Sequence, residues 1–312
     1  MSQQQRETVA QILRNAPVDL GGEVTEQREL FAKMVAANPV PDGVRIESLS
    51  LDGIPALSIE PHGATPDSTV LYFHGGCFVV GSAQDSAGLA ANLARKAGAR
   101  VISVDYRLAP EHPYPAALDD ALTAYRALLD GEHGTAPIAV AGESAGANLA
   151  TALMLAARDL DNLTQPACAI LFSPWVDLTV PDLPHDTGLD PVINPGALRT
   201  RAADYLAGAD PRNGLLSPVH ADLTGLPPML IQAGSHEYLL DDAIRLAARA
   251  AAGHVSVTLD VTPHVLHVFQ AFAALLDEGE DALTRAAAFL RTHTHRPPTR
   301  TPITWASPTQ SS

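Results

Sequence analysis

Ile138-Ala139-Val140-Ala141-Gly142-Glu143-Ser144-Ala145-Gly146-Ala147-Asn148-Leu149-Ala150 is the stretch on which the fold turns. Four apolar residues run into a G-x-S-x-G pentapeptide and then into a helix-forming run, so a buried strand reaches Ser144 through a sharp turn and leaves it as a helix. Small residues two positions either side of Ser144 let strand and helix approach closely, and a serine on such a turn projects its hydroxyl from the strand end. The helix N-terminus beside it favours a developing negative charge. Ser144 is therefore the candidate nucleophile.

Outward from this turn the chain repeats one pattern. Continuous apolar runs at 69–73, 100–105, 167–172, 229–233 and 255–261 read as strands buried on both faces. Helical stretches at 87–97, 115–129, 145–157, 241–251 and 271–291 lie among them. Strand and helix alternating in this way predict an α/β fold with a mostly parallel central sheet flanked by helices. Before it, 45–51 and 56–60 read as an antiparallel hairpin joined through Asp52-Gly53. Residues 1–43 read as N-terminal helices broken at Pro17 and at Gly21-Gly22, and residues 178–226 interrupt the alternation as an insertion that can fold over the strand ends. The expected division is N-terminal cap helices 1–43, core 44–177, cap insertion 178–226, core 227–291 and a flexible tail 292–312.

Composition narrows the function. The 312 residues are 46% hydrophobic and 18% charged, enough for a large core, and 35 acidic against 20 basic side chains give a net charge of −15. That charge repels phosphate backbones and anionic membranes, so nucleic-acid binding is not expected. No apolar run is long enough to span a bilayer. Two cysteines, Cys77 and Cys168, make no disulfide scaffold, and the first residues carry no apolar secretory stretch, so a cytoplasmic location is expected.

A nucleophilic serine needs a base and an acid that orients it. Glu237 follows the strand 229–233, and His264 and His267 follow the strand 255–261, all at strand carboxyl ends where α/β sheets place their ligands. His267, directly before the last helical region, is the better placed histidine. A two-histidine metal site at His264 and His267 lacks a third ligand of suitable spacing, so no metal is expected. Asp241 and Asp242 compete with Glu237 for the acid role but open a helix, where carboxylates favour the dipole.

His74-Gly75-Gly76-Cys77-Phe78 follows the strand 69–73. A glycine pair there lets backbone N–H groups converge on one point, and Gly75, Gly76, Cys77 and Ala145 form the pool of donors for a tetrahedral oxyanion. No G-x-G-x-x-G and no G-K-S/T accompanies it, so a nucleotide loop is not expected. Phe78, Trp175 and Tyr106 are candidate pocket walls, Asp105 and Arg107 a candidate ion pair, and Glu143 a residue that holds loop backbone near Ser144.

Four stretches carry a family resemblance: 74–78, Asp105-Tyr106-Arg107-Leu108-Ala109-Pro110-Glu111-His112-Pro113-Tyr114-Pro115-Ala116, 142–146 and His267-Val268-Phe269. They resemble the hormone-sensitive-lipase-like, bacterial family IV carboxylesterases of the α/β-hydrolases over residues 44–291. The resemblance implies an α/β-hydrolase fold with a helical cap, a triad of Ser144, Glu237 and His267, no cofactor, and a monomer or homodimer. Two positions depart from the pattern: Cys77 replaces the usual third glycine and places a side chain near the acyl site, and Glu237 replaces the usual aspartate, as in proteins similar to monoterpene lactone hydrolases. The implied activity is cofactor-free serine hydrolysis of short to medium acyl esters or lactones through an acyl-enzyme. Its rivals are an amide-directed hydrolase and a noncatalytic small-molecule binding protein on the same fold.

Overall fold

The computed structural model describes residues 2–36, 39–131, 136–160, 163–182 and 190–294. The chain opens with helices α1 (Ser2–Arg14) and α2 (Val24–Val35), separated where Pro17 and Gly21-Gly22 predict a break. The side chain of Glu23 caps α2 by accepting the N–H groups of Thr25 and Glu26. Strands β1 (Val44–Leu51) and β2 (Ile54–Pro61) then form the antiparallel hairpin, with Asp52 and Gly53 both at positive φ as a tight two-residue turn requires.

The remaining strands and helices alternate: β3 (Thr69–Phe73), α3 (Ala87–Ala97), β4 (Arg100–Val104), α4 (Ala116–Asp130), β5 (Ile138–Glu143), α5 (Ala145–Arg158), β6 (Ala169–Phe172), α6 (Pro195–Leu206), β7 (Met229–Gly234), α7 (Leu240–Ala252), β8 (Val257–Thr262) and α8 (Asp277–Thr294). They build one sheet in the order β1-β2-β4-β3-β5-β6-β7-β8. β4 to β8 with β3 run parallel, and β2 is antiparallel to both neighbours. This is the α/β-hydrolase fold. The period of two along β3 sorts its side chains by face: Val70 and Tyr72 join the cluster under α3 and α8, while Leu71 and Phe73 join the one holding α4, α5 and α7. Both faces are covered, which is why the strands read as unbroken apolar runs rather than alternating ones.

One helix differs from its sequence reading. The stretch 271–291 divides into a single 3-10 turn at Phe269–Phe272 and α8, which starts at Asp277. Asp277, Glu278 and Glu280 crowd the first turn of α8, where negative charge complements the helix dipole and fixes the start. Of the expected tail, residues 292–294 complete α8, and residues 295–312 lie outside the described residues, as do 183–189 of the insertion. No helix among the described residues is long and apolar enough to cross a membrane.

α1 and α2 are fastened to the core. Val9 and Leu13 of α1 pack with Val265, Leu266, Phe269, Phe272 and Leu276. Arg6 pairs with Glu278 at 2.7 Å. From α2, Arg28 donates to the carbonyls of Val79 (2.9 Å) and Ala109 (3.0 Å) and to both oxygens of Glu111.

Candidate active site

Ser144 sits between β5 and α5 at φ 54° and ψ −118°. A non-glycine residue there is strained by about 1–3 kcal/mol, and it persists only where its surroundings determine it. They do so here by close approach. A Cβ on Gly142 would meet the Gly146 backbone at 2.4 Å, and one on Gly146 would meet the Phe73 carbonyl oxygen at 2.0 Å. The Ser144 N–H donates to the Phe172 carbonyl at 2.9 Å, which ties the turn to β6.

β7 and β8 deliver the other two groups. Glu237 is buried and His267 is half-buried, and His267 Nδ1 lies 3.7 Å from Glu237 Oε2. That separation exceeds a hydrogen bond and suits an ion pair that shortens when the imidazole takes a proton. Burial pushes the His267 imidazole toward its neutral form, but the hydrogen-bonding capacity and charge of Glu237 more than offset this, so its pKa lies above the ordinary histidine value. Burial likewise raises the Glu237 carboxyl above the usual carboxylate range, against the lowering exerted by His267 and Ser173. His264 instead lies on the surface, its Nδ1 3.3 Å from His236 Nε2. Asp242 accepts the N–H groups of Val176 (2.8 Å) and Asp177 (2.9 Å), and Asp241 pairs with Arg245. Both rival acids are occupied with scaffolding.

Ser173 joins these parts and had no motif to announce it. At φ 45°, just past β6, its hydroxyl donates to Glu237 Oε2 at 2.7 Å and accepts the Val268 N–H at 3.0 Å. The only sequence signal for it is a polar residue at the carboxyl end of a buried strand, the same end that carries Ser144, Glu237 and His267.

The loop after β3 completes the site. Gly75 leaves the donor pool, because its N–H is given to Glu143 Oε1 at 3.1 Å. The N–H groups of Gly76, Cys77 and Ala145 have no acceptor among the described residues. His74 supports the loop from behind: buried, held neutral by burial, it donates Nδ1–H to the Gly75 carbonyl at 2.7 Å and stacks on Tyr106 with centroids 4.2 Å apart. Glu143 holds the loop as expected, and it also accepts the Ser86 hydroxyl. Burial raises the Glu143 carboxyl to about 8, so it is protonated at neutral pH.

A cavity of about 150 Å³ gathers these groups. Gly75, Gly76, Cys77, Ser144 and His267 line it, with apolar side chains from α1, α2, Val192, Ile193 and the segment 268–275. Three pocket-wall expectations are corrected. Phe78 and Trp175 do not line this cavity; Phe78 stacks on Tyr205 at 3.8 Å and packs beside Trp175 at 6.2 Å, which buries both in the core. Tyr106 is spent on His74, its hydroxyl donating to the His74 carbonyl at 2.8 Å. The expected Asp105–Arg107 pair is also absent: Arg107 binds Asp120 at 2.7 Å, and Asp105 accepts the Ala83 N–H at 2.6 Å.

Known proteins share this architecture. A family model described as the alpha/beta hydrolase fold matches residues 70–271. An acetyl-hydrolase of Streptomyces hygroscopicus is 45% identical over 230 residues, covering 72% of this chain and 76% of that protein. An esterase of Acinetobacter venetianus is 36% identical over 265 residues, covering 83% and 85% of the two chains. The crystal structure of an esterase from the bacterial hormone-sensitive lipase family aligns with a TM-score of 0.89 at 37% identity, over 94% of this chain and 99% of that one. The chain belongs to the hormone-sensitive-lipase-like branch of the α/β-hydrolase family and is a carboxylesterase.

Proposed function

We propose that the protein cleaves short to medium acyl esters or lactones through an acyl-enzyme on Ser144, with His267 as base, Glu237 as the carboxylate that orients it, and the N–H groups of Gly76, Cys77 and Ala145 as the oxyanion site. The observation that carries this reading is a single cavity in which a serine at positive φ, a half-buried histidine backed by a buried carboxylate, and acceptor-free backbone donors meet. His267 turns Nδ1 to Glu237, which leaves Nε2 to take the Ser144 proton as Oγ bonds to the acyl carbon. The carbonyl oxygen becomes the oxyanion and is met by the three N–H groups. His267 returns the proton to the leaving alkoxide, and water, deprotonated by the same nitrogen, then releases the acid.

The size of the acyl group follows from the volume. At about 150 Å³ the cavity is smaller than the ~300–1,000 Å³ of drug-sized pockets, which favours acetyl- to butyryl-sized groups over lipid chains. Residues 1–43 and 178–226 act in this reading as a cap over core segments 44–177 and 227–291, and the working form is a monomer or homodimer. The test is hydrolysis of p-nitrophenyl acetate, butyrate and octanoate by the wild type beside Ser144→Ala, Glu237→Ala and His267→Ala. Rates that fall with chain length and collapse in Ser144→Ala and His267→Ala are the expected result. Fastest cleavage of the octanoate sinks the size argument, and full activity in Ser144→Ala sinks the triad.

A further inference from the structure

The cavity lining holds acidic groups that ester cleavage does not require. Asp85, Glu143 and Asp190 all line it, and no lysine or arginine does. Two of the three carboxyl groups are accounted for. Asp190 accepts three backbone N–H groups, from Val192 (3.0 Å), Ile193 (2.9 Å) and Tyr238 (3.1 Å). Glu143 gives Oε1 to Gly75 and Ser86, and burial keeps it protonated at neutral pH. Its Oε2 is buried with no partner among the described residues.

Asp85 is different. Its backbone N–H donates to Ser82 Oγ at 3.1 Å, yet its carboxylate has no hydrogen bond and no ion pair among the described residues. An unpaired carboxylate in a cavity where an ester carbonyl gains negative charge opposes the reaction, because like charges repel across a poorly screened site. The penalty turns into an advantage when the substrate brings a positive charge to Asp85. The remaining lining fits that division of labour: Asp85 and Ser86 bring polar groups at the start of α3, and the residues from α1, α2 and 268–275 bring apolar ones. The net charge of −15 adds a long-range field that draws cations and repels anions.

We propose that Asp85 is the recognition residue for a cationic ammonium group on the substrate, so that the preferred substrates are short esters bearing an amine or quaternary ammonium. The proposal rests on the ester-cleaving reading of Ser144 above and adds to it a specificity that an apolar pocket alone does not have.

Two matched pairs of esters differ in charge and hardly in shape. Acetylcholine and 3,3-dimethylbutyl acetate place the charge on the alcohol side, and betaine ethyl ester and ethyl 3,3-dimethylbutanoate place it on the acyl side. Hydrolysis is followed in a pH-stat with wild type and Asp85→Asn, and the ratio of kcat/KM within each pair is the readout, so that any general loss of rate cancels. In the wild type at least one pair is expected to favour the cation by about tenfold or more, the step that one ion contact of 1.4 kcal/mol provides. In Asp85→Asn that ratio is expected to fall about tenfold from its wild-type value, the comparison between proteins cancelling the intrinsic activation of the ester by its ammonium group, and added salt is expected to lower it in the wild type alone. A wild type that prefers the neutral ester in both pairs overturns the proposal, and so does a ratio that Asp85→Asn leaves unchanged in both. p-Nitrophenyl acetate hydrolysis by wild type and Ser144→Ala separates the two layers. If that ester is turned over through Ser144 while the charge ratio is flat, only the Asp85 assignment fails; if it is not, the serine esterase reading fails as well.

Discussion

Glu143→Gln tests the electrostatics of the site directly, because Gln reproduces the shape of the protonated acid and cannot ionise. Glu143 is buried, adjoins Ser144, and has a carboxyl raised to about 8. Below that pH it is neutral and accepts the Gly75 N–H at 3.1 Å. The donors at Gly76 and Cys77 follow one and two residues later, so at ~3.8 Å per residue an oxyanion held there forms roughly 6–8 Å from the carboxyl group. Two unit charges at that distance repel by roughly 2–3 kcal/mol at an effective dielectric of about 20. Ionisation of Glu143 therefore slows ester cleavage by about 30- to 100-fold. The wild type is expected to lose kcat/KM as pH rises through about 8, and Glu143→Gln to stay level there. Stability has the same sign. A carboxyl raised from 4.5 to about 8 in the folded state contributes stability that is fully present below pH 4.5 and is lost as pH rises through about 8. That loss is about 5 kcal/mol for an isolated group at 1.36 kcal/mol per pKa unit. Melting temperature measured between pH 5 and 9 should therefore fall less steeply in Glu143→Gln than in the wild type. Asp242, raised to about 7 by burial, contributes its own slope to both proteins and drops out of the comparison. An alkaline limb of the pH–rate profile that persists unchanged in Glu143→Gln refutes the reasoning.

Three other perturbations have defined outcomes. In the proposed mechanism His267 accepts the Ser144 proton while neutral, and Glu237 holds its pKa above the ordinary value, so activity is expected to fall as pH drops through a midpoint above 6.5; Glu237→Gln is expected to move that midpoint down and to cut kcat by about 10⁴-fold, and an unmoved acid limb in kcat/KM against pH argues that Glu237 does not face the base. Ser173→Ala removes the 2.7 Å bond to Glu237 and strands the Val268 N–H, at a cost of about 2–4 kcal/mol in urea unfolding, with kcat reduced more than KM; wild-type kinetics in that variant would show that the bridge is idle. Gly146→Ala drives a Cβ to 2.0 Å from the Phe73 carbonyl oxygen and 2.5 Å from that of His74, both backbone atoms, so a loss of about 3 kcal/mol or more is expected by thermal unfolding, and a variant that melts with the wild type contradicts the close approach at the turn.

Sequence carried the sheet and the strand-turn-helix at Ser144 because both rest on local rules. A strand buried on two faces must be apolar throughout, and the crossing of β5 and α5 at Ser144 leaves space for nothing larger than glycine at 142 and 146. The loops were less legible for an equally physical reason. An aromatic residue after a buried strand faces either the cavity or the core, and composition does not say which. Phe78 took the core because Tyr205, from α6 far along the chain, supplies a stacking partner, and Trp175 packs beside Phe78 in turn. Arg107 bypassed Asp105 for Asp120, a residue thirteen positions on that the first turns of α4 bring alongside. Ser173 and Asp85 lie in no motif. Their roles depend on groups 64 residues away for Ser173 and on the absence of a partner for Asp85, and neither is a property of a window of sequence.

Strain gives the deeper account of why these loops are hard to read and why they work. Ten non-glycine residues among those described have positive φ, and six of them, Cys77, Phe78, Ser144, Ser173, His264 and Val268, lie in the loops that follow β3, β5, β6 and β8. Each costs about 1–3 kcal/mol, a total comparable to the whole stability of an ordinary domain. No local preference of these residues selects such a backbone; the sheet imposes it. Parallel strands in register end together, so the chain must turn sharply at each carboxyl end to send its N–H groups and its hydroxyl, carboxylate and imidazole toward one point. The rigid register of β3 through β8 fixes the ends, and the helices packed on both faces keep the turns from relaxing. Replacing one of these residues by glycine relieves backbone strain and at the same time frees the loop that aims the group, so stability gained at Cys77 or Ser173 is set against the alignment of donors and base. The strain is thus the mechanical form in which the buried core reaches the site, and it concentrates where four strand-end loops converge on a single cavity.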